Sequence, residues 1–215
     1  SNVRFGVNAG NSIASGGNYN TVVGDEAGTA INTGDENTFV GYDSGKAVTT
    51  GTGNTALGFS SLITNILGSK SVAIGRAALQ VQNPASAVDM YNVAIGHGAG
   101  ETISTGVQNT FVGGLAGDAT DDGAENTGIG YAALSANCAN GNAAVGHAAL
   151  YGCTGATNTA MGASAGWSIG AGDSNTTIGA TAGGTIATGD NNVIIGASAD
   201  VDASDTTGAN VLGRA

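Results

Sequence analysis

Histidine and cysteine, the side chains best suited to nucleophilic and metal chemistry, are scarce in this chain. Two of each occur among 215 residues. His97 and His147 each directly follow the last glycine of a repeated motif, three repeats apart, which corresponds to about 14 Å if the repeats stack as neighbouring β-strands. A shared metal ion or a nucleophile–base pair needs direct contact or one bridging water. We therefore expect no catalytic residues, no metal site, no cofactor and no enzymatic activity.

The two cysteines, Cys138 and Cys153, lie about one repeat apart, so that stacking would bring them nearly side by side. A disulfide between neighbouring repeats is geometrically feasible. The other interpretation is a pair of small buried thiols packed in a column, and the sequence favours it.

Carboxylates are abundant, since sixteen acidic residues face five basic ones and the formal net charge is −11. This charge repels phosphate backbones, so we expect no nucleic-acid partner. No apolar stretch reaches eighteen residues, so we expect no membrane insertion.

Acidic residues clustered between the motifs are candidates for calcium binding. The clusters are Asp25 with Glu26, Asp35 with Glu36, Asp118 with Asp121 and Asp122, and Asp200 with Asp202 and Asp205. Because these positions do not recur in register, solvated turns that keep the protein soluble are the favoured interpretation.

The element that carries these residues is a five-residue motif, Asn-Thr-x-φ-Gly, in which φ is a large apolar side chain. It recurs thirteen times, and eight of the twelve spacings are seventeen residues. Its closing residues are Gly6, Gly24, Gly41, Gly58, Gly75, Gly96, Gly113, Gly130, Gly146, Gly162, Gly179, Gly196 and Gly213. We therefore predict an all-β parallel β-solenoid (a β-roll or β-helix) of about thirteen coils, which forms a single repeat domain over residues 1–215.

The motif also predicts how each coil packs. The φ residue and the Thr or Val two positions earlier share one strand face, and the residue between them is usually apolar too. Four φ residues are Ile74, Ile95, Ile178 and Ile195. A strand that is apolar on both faces should be buried on both, so the second face needs a partner. We expect an intertwined or side-by-side homotrimer that covers it.

Two further columns are interpreted as structural. A small residue, Ala or Ser, stands three positions after the motif glycine, where the chain turns inward. Asparagine opens the motif, and stacked amides can bond from coil to coil as a ladder. Members of this column are Asn20, Asn37, Asn54, Asn92, Asn109 and Asn126. Turn residues between the motifs predict two short strands and two tight turns in each coil.

Candidate receptor-binding residues directly follow the motif glycine. They are Tyr42, Phe59, Arg76, His97, Tyr131 and His147. This column forms either an exposed aromatic strip for a glycan or protein, or a cover over a groove between subunits.

The coil between Gly75 and Gly96 is four residues longer than the usual period and contains the only proline, which predicts a loop insertion at residues 80–91. Such an insertion either projects as a binding loop or is tolerated without a role. Its candidate binding residues are Asn83, Pro84, Asp89 and Tyr91.

Two segments carry a resemblance to a known family. Residues 71–78 (S-V-A-I-G-R-A-A) and 92–99 (N-V-A-I-G-H-G-A) are similar to head repeats of trimeric autotransporter adhesins. The other coils resemble repeats of bacteriophage tail fibres. The resemblance implies a left-handed parallel β-roll, a homotrimer, and binding to a glycan or protein of the host cell surface. Since the period is longer than in adhesin heads, and a neck, a coiled-coil stalk and a membrane anchor are missing, a virion tail fibre is favoured over a bacterial surface adhesin.

A self-assembling extracellular filament and an ice-binding solenoid are further alternatives. Threonine columns on a flat face can order water. Because the threonines share their face with the large apolar column, we expect them to be buried, which argues against ice binding.

Overall fold

The computed structural model describes residues 1–213, and within this range it contains strands and turns but no helix. It confirms the predicted parallel β-solenoid, with about twelve coils whose paired residues are mostly 17 positions apart. Contacts divide the chain into two compact units, residues 1–109 and the residues from Thr110 onward.

The first unit contains eight strands. They are β1 (Val3–Phe5), β2 (Thr21–Val23), β3 (Thr38–Val40), β4 (Thr55–Leu57), β5 (Gly68–Ser69), β6 (Val72–Ile74), β7 (Val88–Asp89) and β8 (Val93–Ile95). Six of them form a parallel sheet in the order β1, β2, β3, β4, β6, β8, and β5 pairs separately with β7. Equal motif positions face each other, as Thr38 faces Thr55.

The second unit contains seven strands, all from the motif. They are β9 (Thr110–Val112), β10 (Thr127–Ile129), β11 (Ala143–Val145), β12 (Thr159–Met161), β13 (Thr176–Ile178), β14 (Val193–Ile195) and β15 (Asn210–Leu212). They form a parallel sheet in chain order, again with equal motif positions opposite each other.

The central residue of each motif strand points into the coil, and its two neighbours point outward. Phe39, Phe111 and Ile194 are fully buried central residues. The neighbours, which are the Thr or Val column and the φ column, form a surface that we call the outer strand face. Leu57 and Met161, both φ residues, are 46% and 54% exposed. The threonines of this face are half-buried or exposed, so the expectation that they are buried is wrong for the single chain.

Inside several coils, the sizes of the residues at two core positions complement each other. Where the central strand residue is phenylalanine, the position four after the motif glycine is glycine. A Cβ at Gly45 would lie 2.5 Å from the Phe39 ring, and Gly117 has the same relation to Phe111. In the coil of Ala56, whose side chain is small, the fully buried Leu62 takes that position instead. In these coils, the pairing of a large residue with a small one keeps the core filled.

The side of the coil opposite the motif strand differs from the prediction. We expected a second strand in each coil, but among residues 1–213 only β5 and β7 form one. Elsewhere left-handed residues such as Ala132 and Leu134, with φ of +53° and +57°, interrupt extended geometry, and the chain returns through tight turns. Backbone bonds still join the coils there, for example from Gly28 N–H to Ser44 O at 2.9 Å.

The motif asparagines are buried and hydrogen-bond from coil to coil, in an array that we call the asparagine ladder. Asn20 Oδ1 accepts the backbone N–H of Asn37 at 2.9 Å, and Asn37 Oδ1 accepts that of Asn54 at 3.0 Å. Asn37 Nδ2 donates to Gly51 O at 2.9 Å. The same pattern recurs in the second unit. The ladder provides partners for buried backbone groups beyond the reach of the short strands.

The motif glycines allow neighbouring coils to approach closely. Gly58 has a φ of +138°, and a Cβ there would lie 2.5 Å from the carbonyl oxygen of Gly75. Neither this backbone angle nor this space admits another residue. Gly53 has a φ of +68°, but a Cβ there would meet no atom closer than 3.8 Å.

Replacing Gly58 by alanine should therefore destabilise the fold far more than replacing Gly53. Gly53→Ala carries only the cost of a left-handed backbone, about 1 kcal/mol. Gly58→Ala must also push two coils apart and should cost about 3 kcal/mol or more. Urea denaturation followed by circular dichroism measures both free energies of unfolding. Equal losses in the two variants would show that the close approach does not determine stability.

Candidate binding surfaces

Four predicted binding residues form a continuous stack in the first unit, which we call the aromatic ladder. Tyr42 and Phe59 stack with ring centroids 5.5 Å apart, and the Arg76 guanidinium lies 5.7 Å from the centre of the Phe59 ring. Arg76 Nη1 is 3.3 Å from His97 Nε2. The two rings are each 49% exposed. The ladder thus offers apolar ring surface beside a cation.

The register of the strands positions this stack. Each member follows a motif glycine, and equal motif positions in neighbouring coils lie about 4.8 Å apart. Planar side chains at this spacing stack without rearrangement of the backbone.

The second unit contains two stacked pairs. Tyr131 and His147, both predicted, have ring centroids 5.5 Å apart. Tyr151 and Trp167 stack at 4.4 Å with an interplanar angle of 6°. Both pairs line one groove of about 240 Å³. Sequence reasoning missed Tyr151 and Trp167, although their spacing of one coil was an available signal.

The last residues of the insertion are part of the solenoid. Its residues Val88–Asp89 form β7, and Met90 is fully buried. Pro84 is buried, whereas Asn83 and Tyr91 are exposed. Of the candidates in this loop, all but Pro84 therefore reach the surface.

Asp89 and Tyr91 meet Lys70 at the surface. Lys70 Nζ lies 2.7 Å from Asp89 Oδ2 and 3.1 Å from Tyr91 Oη. The hydrogen bond between Lys70 and Asp89 lowers the pKa of Asp89 and raises the pKa of Lys70. Because the groups are exposed, the ion pair contributes little stability, and its effect is to orient the end of the insertion.

Gln82, buried within the insertion, bridges a gap in the asparagine ladder. Ser71 stands where most of the motifs have asparagine. Gln82 Nε2 lies 3.1 Å from Ser71 Oγ, and Gln82 Oε1 accepts a hydrogen bond from Asn92 Nδ2 at 2.9 Å. The insertion therefore has a structural role that the sequence alone did not reveal.

Cys138 and Cys153 are free, buried thiols. Burial raises the pKa of Cys138 to about 12 and the pKa of Cys153 to about 11. Both thiols therefore stay protonated near neutral pH, where a thiol is a poor nucleophile. Cys138 Sγ donates to Ala136 O at 3.2 Å.

The carboxylates between the motifs connect neighbouring coils. Asp25 Oδ1 accepts the backbone N–H of Val7 at 3.1 Å, and Asp35 Oδ1 accepts that of Asn18 at 2.7 Å. Sequence reasoning missed this role, because it depends on which residues face each other across coils. Within residues 1–213, no group of three or more His, Cys, Asp and Glu side chains could hold a metal ion.

Comparisons of the chain with protein-family models, with curated proteins and with solved structures find no match. Among the described residues, no helix is long and apolar enough to cross a membrane. The surfaces described above are therefore the basis for inferring function.

Proposed function

We propose that this chain is a non-enzymatic structural segment of a homotrimeric bacteriophage tail fibre, which presents receptor-binding surfaces to the host cell. The observation that carries the proposal is the outer strand face, where rows of large apolar side chains lie uncovered in the single chain.

The outer strand face is unusually apolar for a surface in contact with water. In the second unit Ile129, Val145, Met161 and Ile195 belong to one row, and each is 39–54% exposed. Contiguous exposed apolar patches mark interaction surfaces. Each chain offers the same face, so a closed ring of three copies would cover it in every subunit.

Receptor contact falls to side chains outside this face. The aromatic ladder of Tyr42, Phe59, Arg76 and His97 follows the motif glycines, beyond the end of each strand. Three copies of such a ladder in one fibre raise avidity through effective concentration, without requiring one deep pocket.

An aspartate on the outer strand face should dissociate the trimer. Ile95 on this face and Ile66 in a turn are 38% and 39% exposed, which makes them a matched pair. We expect light scattering after size exclusion to give three times the chain mass of 20.5 kDa for the wild type and for Ile66→Asp. Ile95→Asp should give monomers, because a buried unpaired carboxylate is costly. A monomeric wild type, or a trimeric Ile95→Asp, would contradict the proposal.

Ice binding is a second candidate, because the threonines stand on an exposed face. Thr38 and Thr159 are exposed, and the other motif threonines on this face are half-buried. The Thr or Val row and the φ row form an array of about 4.8 Å along the solenoid and about 6.6 Å across it. A regular array of hydroxyl and methyl groups can hold water in fixed positions. Trimerisation and ice binding exclude each other, since both use this face.

Thermal hysteresis distinguishes the two candidates. We expect none from the wild type, because the trimer covers the threonines. Thr55→Tyr would disrupt the array, whereas Thr50→Tyr changes an exposed turn residue outside it. Hysteresis that is present in the wild type and in Thr50→Tyr but lost in Thr55→Tyr would favour ice binding over the fibre.

A further inference from the structure

The groove of the second unit has two aromatic walls, of which the sequence predicted only one. We propose that the groove between the Tyr131–His147 pair and the Tyr151–Trp167 pair binds a neutral β-linked hexose oligosaccharide. This deepens the receptor-binding role proposed above and rests on it for its biological meaning. The groove is complete within one chain, however, so its binding can be tested independently of the trimer.

The rings present flat apolar surface to solvent. Trp167 is 43% exposed and Tyr131 54% exposed. In the next coil, Gly184 occupies the position equivalent to Trp167, so no side chain stands there to cover the far face of the indole. Ala163 likewise follows His147 in its column. Large exposed aromatic rings are typical of binding sites. At binding interfaces, Trp and Tyr are among the residues that contribute most to the binding free energy.

Sugar rings fit this kind of surface. The face of an aromatic ring carries partial negative charge, which attracts the weakly positive C–H groups on the flat side of a pyranose. In β-linked hexoses such as glucose and N-acetylglucosamine the ring substituents are equatorial, which leaves that side free of hydroxyl groups. Tyr151 and Trp167 stack face to face and cover each other's inner faces, so the outer face of Trp167 is the platform that stays open to a sugar.

Polar groups in the same lining match sugar hydroxyls. Tyr131, Tyr151 and Ser135 contribute hydroxyl groups, and Trp167 contributes an indole N–H. The hydroxyl groups can both donate and accept hydrogen bonds, and the indole N–H can donate one, which suits the hydroxyl groups of a carbohydrate. A purely apolar partner would give the tyrosine hydroxyls and the indole N–H no hydrogen-bond partner.

Charge excludes two other ligands that stack on aromatic rings. Asp118 lines the groove, and the chain carries a formal charge of −11. Both oppose nucleic-acid bases with their phosphates and acidic sugars. The groove volume of about 240 Å³ is below the roughly 300–1,000 Å³ of pockets for drug-sized ligands, so the groove takes a short stretch of an oligosaccharide.

The chain itself supplies the reporter for a test. Trp167 is its only tryptophan, so intrinsic fluorescence reads the groove directly. We would titrate the protein with cellotetraose, chitotetraose and β-1,4-galactotetraose, and with tetragalacturonate as the acidic comparison. A saturable change in emission with at least one neutral sugar, and none with tetragalacturonate, is expected. No response to any neutral sugar, or a stronger response to the acidic one, would overturn the proposal.

Matched variants assign the response to the groove. Tyr131→Ala and Tyr151→Ala each remove one ring and should weaken binding about tenfold or more. Tyr19→Ala removes an exposed ring of the first unit that lies outside the aromatic ladder, and it should leave the affinity unchanged. Equal losses in all three variants would overturn the groove as the site.

Two controls separate this proposal from other outcomes. Ile95→Asp should keep the sugar affinity per chain even as a monomer, so failure of the groove and failure of the trimer are distinguishable. A glycoprotein that bears neutral glycans should lose its binding after enzymatic deglycosylation. Binding that survives deglycosylation would assign the groove to a protein partner and overturn the glycan proposal.

Discussion

Neighbouring coils of this solenoid must stay in register beyond their short strands, and the buried asparagine of the motif holds them there. Each motif strand is only three residues long. Next to the strand, Asn37 accepts the backbone N–H of Asn54 and donates to Gly51 O, so that these buried backbone groups have partners. A slip by one residue would exchange the inner and outer faces of a strand. The asparagine ladder therefore fixes both the spacing of the coils and the direction in which each side chain points.

The fixed register places side chains at equal motif positions next to each other, both inside the coil and on its outer surface. Inside, it places Gly45 beside Phe39, and it places the buried Leu62 in the coil whose strand residue is the small Ala56. Outside, it stacks Tyr42 on Phe59 and Tyr151 on Trp167, because equal positions recur at the spacing of hydrogen-bonded strands. It also aligns the φ residues into rows that one chain leaves uncovered. The candidate binding surfaces and the proposed oligomer interface are thus two results of one stacking rule.

The sequence predicted the solenoid and its period, because a motif that returns about every 17 residues leaves few other ways to bury its apolar positions. It did not predict which strand face is inside, since alternation only places two positions on one face and both faces are apolar. The central residues, such as Phe39 and Ala56, are the buried ones. The bridge made by Gln82 and the pairing of Tyr151 with Trp167 were also missed, because they depend on side chains from different coils. The periodicity of the sequence predicts contacts between coils only for side chains that belong to the repeated motif.

Amide hydrogen exchange in the wild type and in Asn37→Ala tests the role of the asparagine ladder most directly. The Asn54 amide donates to Asn37 Oδ1 in the native protein. It should therefore exchange only through large-scale unfolding in the wild type, and at least about tenfold faster in the variant. The Asn175 amide, bonded to Asn158 in the second unit, provides the internal reference. Equal protection of the Asn54 amide in both proteins, or rapid exchange already in the wild type, would contradict the account.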